Sequence, residues 1–195
     1  MNSITLKAPA KVNLFLRVLS RRRDGYHNIN TVFERISLYD TIKISRIPKG
    51  IVVRSDKAIT KNPKDNLVHK AAGAMLACAR IKSGVKIEIK KRIPIAAGLG
   101  GGSSDAAATV LGIDRLFGLK FGSARLLKIG ERIGADVPFF LLNTRLASGR
   151  GIGGNLSIID SKGELCTCWY SRVSRWIPKA YIRHLTASKR EGRIA

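Results

Sequence analysis

A cluster of glycines between a predicted strand and a predicted helix sets narrow limits on how this chain folds. The segment PIAAGLGGGSSDAAATVL (residues 94–111) follows VKIEIKKRI, in which apolar residues recur at every second position, as in a β-strand. It continues into an alanine-rich stretch that predicts a helix from Ser103 to about Phe117. Four glycines in five positions exceed the needs of a turn, and they allow backbone angles that other residues avoid.

The order of strand, glycine-rich loop and helix predicts a phosphate-binding site. The first N–H groups of a helix lack backbone partners and carry about half a positive charge, so they attract anions. We expect Ser103 or Ser104 to cap the helix, or to turn a hydroxyl toward a phosphate or a metal. The segment is not a Walker A motif, because no Gly-Lys-Ser/Thr ends it. Three basic residues flank it and are expected to add positive charge: Lys90, Lys91 and Arg92.

A second glycine cluster matches a dinucleotide-binding fingerprint in letters only. Gly149, Gly151 and Gly154 satisfy G-x-G-x-x-G, but NLSIID follows and is typical of a strand. A dinucleotide fingerprint must open a helix. We therefore expect a glycine-rich connection here.

The remaining chain predicts a mixed α+β fold. In KVNLFLRVL, the alternation of Val12, Leu14, Leu16 and Val18 predicts a strand with one buried face. Further strands are expected at 29–37, 41–47, 51–55 and 85–93, and helices at 65–82, 103–117 and 123–133. This order is not the regular βαβ winding of a parallel sheet.

Three other positions are candidates for chemistry. Lys11 and Asn13 share the polar face of the first strand, where they could hold an anion and a hydroxyl or could simply face solvent. Asp136 is an acid in the apolar stretch IGADVPFFLL, either a cap or a carboxylate that accepts a proton. Tyr26 and His27 lie in a basic loop, where stacking on a base and plain surface exposure both remain open.

The charge of the chain is strongly positive. It has 36 Lys and Arg against 13 Asp and Glu, a formal net charge of +23, which favours an anionic partner. No aromatic RNA-binding signature, zinc-finger pattern or helix-turn-helix pattern accompanies it, so no specific nucleic acid is expected. Three cysteines, an odd number, favour a reducing compartment, and no run approaches the roughly 20 apolar residues of a membrane span. We expect a cytoplasmic protein without membrane contact.

Three segments together resemble one family. APAKVNLFLRVLSRRRDGYHNINTVFERISLYD, PIAAGLGGGSSDAA and IGADVPFF occur in the order and spacing of the GHMP small-molecule kinases. The resemblance implies an N-terminal ATP-binding domain at 1–148, with a mixed sheet, helices and a left-handed βαβ unit. It implies that 149–195 is a truncated, partly divergent start of a ferredoxin-like C-terminal domain.

The form of these motifs resembles the members that act on a cytidine diphosphate-linked methylerythritol. The resemblance implies ATP-dependent phosphorylation of its 2-hydroxyl, with Mg²⁺, in non-mevalonate isoprenoid biosynthesis, by a monomer or weak dimer. By motif position, Asp136 would be the base and Lys11 would stabilise charge. Asn13 would lie near the erythritol hydroxyls, with Tyr26 and His27 at the cytosine. The implied ATP-binding residues are Pro94, Ile95, Ala96, Ala97, Gly98, Leu99, Gly100, Gly101, Gly102, Ser103, Ser104 and Asn66.

The resemblance decays after about Leu165. Both tryptophans and two of the three cysteines follow this point, but only one of the 19 glycines does. This composition is the basis for the hypothesis that the end is frameshifted. Cys166, Cys168 and His184 lack a fourth ligand, so no metal-binding residues are predicted. The alternative to a working kinase is a catalytically impaired, truncated remnant.

Overall fold

The computed structural model divides the chain into two compact units, Met1–Ile159 and Asp160–Ala195. The residues it describes are 1–21, 25, 27–60, 62, 65–151 and 153–160, together with the backbone of two strands at 165–170 and 181–186. The sequence-based division after residue 148 falls inside a strand of the first unit. The second unit holds an antiparallel pair of strands, Leu165–Tyr170 and Tyr181–Thr186.

The first unit is built on a six-stranded sheet. Its strands are β1 (Ser3–Arg21), β2 (His27–Ile47), β3 (Ile51–Ser55), β4 (Gly84–Lys90), β5 (Leu146–Gly151) and β6 (Asn155–Ile158). β2 is central: β1 pairs along it, while β4 and β5 pair with different parts of it, at Thr41–Ile47 and Ile29–Glu34. All pairings are antiparallel except β3 with β4. The prediction of a mixed sheet is confirmed, although the two strands expected at 29–37 and 41–47 form one.

Four helices accompany this sheet. They are α1 (Leu67–Cys78), α2 (Gly101–Phe117), α3 (Ser123–Ile133) and α4 (Val137–Leu141). α1 connects the parallel strands β3 and β4, which makes a βαβ unit. Apolar residues of α2 such as Val110 and Ile113 are fully buried in one core with Ile42, Ile44 and Ile87 of the sheet. Among the described residues, these helices include none both long and apolar enough to cross a membrane.

Two details differ from the sequence-based predictions. Val12 is buried, but Leu16 and Val18 are 54% and 58% exposed, so the expected buried face of β1 ends near Leu14. Alternation reflects strand geometry, whereas burial also requires an element to pack on that face. α1 ends at Cys78, four residues before the expected end. As expected, the second glycine cluster leads into a strand, β6, and not into a helix.

Candidate active site

The glycine-rich segment passes from β4 to α2 and changes direction with left-handed backbone angles. Ala96, Gly98 and Gly100 have φ values of 59°, 73° and 69°. α2 begins at Gly101, so the prediction that Ser103 or Ser104 caps this helix is wrong. The N-cap is Gly100, which has no side chain, and both serines lie inside the first turns. Because no side chain caps the helix, its first N–H groups remain available for an anion.

Gly100 is where the loop comes closest to the rest of the site. A Cβ atom at this position would lie 3.0 Å from Lys11 Cγ and 3.0 Å from Phe140 Cζ. The backbone N–H of Lys11 also donates to the carbonyl oxygen of Leu99 at 2.9 Å. The loop, β1 and α4 therefore meet at one point, and glycine is required there both for its φ angle and for its lack of volume.

A cavity of about 310 Å³ opens over this loop. It is lined by Ile59, Leu67, Lys91 and by ten consecutive residues, Pro94–Ser103. Ile59 also borders a second cavity of about 230 Å³, which reaches Asn66. Asn66 is the N-cap of α1, and its side-chain oxygen accepts a hydrogen bond from the N–H of Val68 at 2.9 Å. All predicted ATP-binding residues except Ser104 therefore line these two cavities.

Lys11 and Asp136 form an ion pair beside the loop. Lys11 Nζ lies 3.6 Å from Asp136 Oδ2 and 2.6 Å from Asn13 Oδ1. The lysine side chain is 8% exposed, whereas Asp136 is 32% exposed. The ammonium also lies 5.2 Å from the centre of the Phe33 ring. The structure thus brings together three predicted residues from two distant parts of the chain, with the carboxylate on the solvent side.

Asp136 stands at the N-cap position of α4, but its side chain makes no capping hydrogen bond. The alternative that this acid is a helix cap is therefore not supported by the geometry. Its φ and ψ angles are −88° and −10°, which directs the chain into α4 through Pro138 at the start of that helix. The carboxylate is left to face Lys11.

Thr31 is a site residue that the sequence did not reveal. Its hydroxyl accepts a hydrogen bond from Asn13 Nδ2 at 2.7 Å and donates one to the Phe15 carbonyl oxygen at 2.7 Å. Because the amide nitrogen of Asn13 is held there, its oxygen points to Lys11 Nζ. Thr31 lies on β2, 18 residues from Asn13, and only the β1–β2 pairing joins the two.

Arg35 is a second residue that sequence reasoning missed. It lies opposite Lys11 in the β1–β2 pairing, and its guanidinium donates to carbonyl oxygens at the end of α4: Phe139 at 3.0 Å, Phe140 at 2.9 Å, and Leu142. A cation at a helix C-terminus satisfies carbonyls that lack backbone partners. Burial lowers the pKa of this guanidinium. Arg35 thus anchors the short helix that carries Asp136 at its other end.

Of the two residues predicted to hold the cytosine, the structure describes His27. His27 begins β2 and pairs with Arg21, ten residues beyond Lys11 on β1, and the pairing shifts register twice between Lys11 and Arg21. His27 is exposed. Tyr26 lies outside the described residues.

A wider cavity of about 740 Å³ lies elsewhere in the first unit. Its lining comes from α3, α4, β5 and β6 and the segments beside them, and includes Leu127, Glu131, Arg150 and Ser157. It contains none of the predicted site residues.

Comparison with protein families identifies the domain. Residues 66–144 match the model for the GHMP kinases N terminal domain. That range contains α1, the glycine-rich loop, α2 and Asp136. These residues therefore have the fold of a GHMP kinase N-terminal domain.

Individual relatives extend this likeness to more of the chain. The chain is 45% identical over 161 residues to the 4-diphosphocytidyl-2-C-methyl-D-erythritol kinase of Acetivibrio thermocellus, covering 83% of this chain and 56% of the relative. It is 46% identical over 179 residues to the kinase of the same name from Geobacter metallireducens, covering 91% of this chain and 62% of that relative. The chain thus spans about three fifths of the length of these relatives.

Solved structures agree on the fold. A crystal structure of 4-(cytidine 5'-diphospho)-2C-methyl-D-erythritol kinase matches with a TM-score of 0.69 and 40% identity, covering 80% of this chain and 55% of that one. Homoserine kinase from Cytophaga hutchinsonii matches with a TM-score of 0.61 and 22% identity, covering 82% and 51%, which is evidence for the fold alone. The GHMP fold predicted from the motifs is confirmed.

Proposed function

We propose that the chain is the ATP-binding part of a kinase that phosphorylates the 2-hydroxyl of 4-diphosphocytidyl-2-C-methyl-D-erythritol, a step of non-mevalonate isoprenoid biosynthesis. The observation that carries this proposal is the Lys11–Asp136 pair at 3.6 Å, placed against a glycine-rich loop and an uncapped helix N-terminus. The choice of alcohol is supported by the names of relatives that are 45% and 46% identical over 161 and 179 residues.

Asp136 would act as the base. It is exposed enough to meet a substrate and makes no capping hydrogen bond, so its oxygens are available to accept the proton of the attacking hydroxyl. Lys11 would stabilise negative charge on the transferring phosphoryl group. Asn13, oriented by Thr31, would hold a neighbouring hydroxyl of the alcohol.

The glycine-rich loop would bind the phosphates of ATP. The N–H groups of Gly101, Gly102 and Ser103 start α2, where they have no partner within the helix. Mg²⁺ would enter with the nucleotide, because it binds phosphate oxygens and readily keeps its waters, and it would neutralise charge on the transferring group. Ser103 lines the loop cavity, and its hydroxyl would supply a protein oxygen to the ion. Tyr26 and His27 would hold the cytosine.

Phosphoryl transfer from ATP to the cytidyl alcohol tests this proposal. The full chain is incubated with MgATP and the alcohol, and the product is followed by phosphorus NMR, with mevalonate and homoserine as competing acceptors. Formation of the phosphorylated cytidyl alcohol alone supports the proposal. ATP binding without transfer to any alcohol favours the impaired remnant, and preference for another alcohol overturns the substrate assignment.

Removal of the base carboxylate tests the assignment of Asp136. Asp136→Asn is expected to abolish turnover and leave ATP affinity within about twofold of the unchanged protein, because the loop cavity is intact. Asp160→Asn, at an exposed position, is the matched control and should turn over normally. Turnover by Asp136→Asn at the control rate would refute the assignment.

A further inference from the structure

A buried cluster of one lysine and two aspartates lies against the glycine-rich segment. Lys91 Nζ donates to Asp105 Oδ2 at 2.8 Å and to Asp40 Oδ2. The three side chains are at most 3% exposed. The prediction that Lys91 adds positive charge to the loop is therefore wrong, because two carboxylates surround its ammonium group.

Asp40 fixes the entrance to the segment. Its Oδ1 accepts hydrogen bonds from the backbone N–H groups of Arg92 and Ile93, the latter at 2.8 Å. The preceding N–H, that of Lys91, donates to Asp56 Oδ1 at 2.9 Å. Three consecutive amides after β4 are thus bound by carboxylates and unable to shift with the loop.

Asp105 fixes the exit. It lies in α2 on the turn that follows Gly101, and its only hydrogen-bonded cation among the described residues is Lys91. A Cβ at Gly101 would lie 3.3 Å from Lys91 Nζ and 3.0 Å from Ile93 Cγ2. The start of the segment and the start of α2 therefore touch, with the lysine between them.

We infer that Lys91 is a positioning residue that joins the two ends of the phosphate loop through Asp40 and Asp105, and that it does not itself bind phosphate. The inference deepens the proposed ATP site and rests on it for its functional meaning. Although burial lowers the pKa of Lys91, the carboxylates outweigh burial and raise it, so the lysine stays charged. A buried ion that keeps two short contacts is costly to remove, because both of its partners would lose the cation that they contact.

Amide hydrogen exchange separates this role from phosphate binding. We compare Lys91→Met with Lys43→Met, which removes an exposed lysine of β2, a strand of the same sheet. Lys91→Met is expected to speed the exchange of amides 95–105 at least tenfold, to leave α3 unchanged, and to weaken ATP binding about tenfold. Lys43→Met should change neither the exchange nor the ATP binding. The double variant Lys91→Met with Asp105→Asn removes one charge of each sign. It replaces Lys91→Met in both measurements if the single variant does not fold.

The two readouts give different answers when different parts of the account fail. Unchanged exchange at 95–105 together with weaker ATP binding would show that Lys91 is a phosphate ligand. A uniform rise in exchange throughout the chain, including unfolding of both variants, would show a general role in stability. Either result overturns the positioning role. Failure of the unchanged protein to bind ATP would contradict the proposed function. Amide hydrogen exchange in the Lys91 variant would still show whether Lys91 positions the loop.

Discussion

Replacing Gly100 by alanine should reveal how tightly the loop is fitted to Lys11. The backbone at this position has a φ of 69°, which costs an L-residue about 1–2 kcal/mol. The new Cβ would also lie 3.0 Å from Lys11 Cγ and Phe140 Cζ, so one of them must move, at a further cost of about 1–3 kcal/mol. We expect a total loss of about 2–5 kcal/mol in the free energy of unfolding.

Gly98 provides the matched control. Its φ is 73°, close to that of Gly100, but a Cβ there would have no atom of the described residues within 4 Å. Gly98→Ala should therefore show only the backbone cost. Urea denaturation followed by circular dichroism measures both variants. Equal destabilisation by the two substitutions would refute the claim that the loop is packed against Lys11.

Three other predictions concern the supports of the site. Burial raises the pKa of Asp105 to about 7, so its stabilising contribution is complete below about pH 4 and is lost as the pH rises through 7. Asp105→Asn should therefore make the midpoint of urea unfolding less dependent on pH between pH 5 and 8. An unaltered dependence of the midpoint on pH would contradict this. Arg35→Met should lower the free energy of unfolding by about 3 kcal/mol, because carbonyls of α4 lose their donor. Arg54→Met, at an exposed position, should lower it by less than about 0.5 kcal/mol. Thr31→Val should lower the free energy of unfolding by about 2 kcal/mol, because two hydrogen bonds are broken. A thermal melt that matches that of the unchanged protein would exclude a supporting role for the Thr31 hydroxyl.

The glycine-rich segment shows what local sequence predicts well. Alternation in VKIEIKKRI predicts β4, and the alanine-rich stretch predicts α2, because both patterns follow from the period of the element. α2 begins at Gly101, two residues before Ser103, where the sequence predicts its start. Serine is the commoner N-cap, but here Gly100 takes the left-handed conformation and the helix begins among the glycines.

The pairings that build the site depend on the tertiary fold. Lys91 and Asp40 are 51 residues apart, and Arg35 is 107 residues from the last carbonyl that it binds. Each looks like an ordinary charged residue in the sequence, and only the sheet places it beside its partner. Family motifs identify Lys11 and Asp136 as site residues. Spacing alone leaves open that Lys11 simply faces solvent and that Asp136 is a cap.

The exposed part of β1 illustrates the same limit. Period-two alternation is present as far as Val18, but the described residues bury this face only as far as about Leu14. A pattern of apolar residues records which face could be covered. Whether an element covers it depends on the whole fold.

Amide chemical shifts during titration with MgATP test the central claim, that the segment Pro94–Ser104 binds the ATP phosphates. The full chain, labelled with ¹⁵N, has a mass of 21.3 kDa and is suited to this measurement. We predict that the largest shifts occur at Gly101, Gly102 and Ser103, and that α3 is unaffected. Shifts centred on the 740 Å³ cavity near Arg150, or no shifts at saturating nucleotide, would contradict the account.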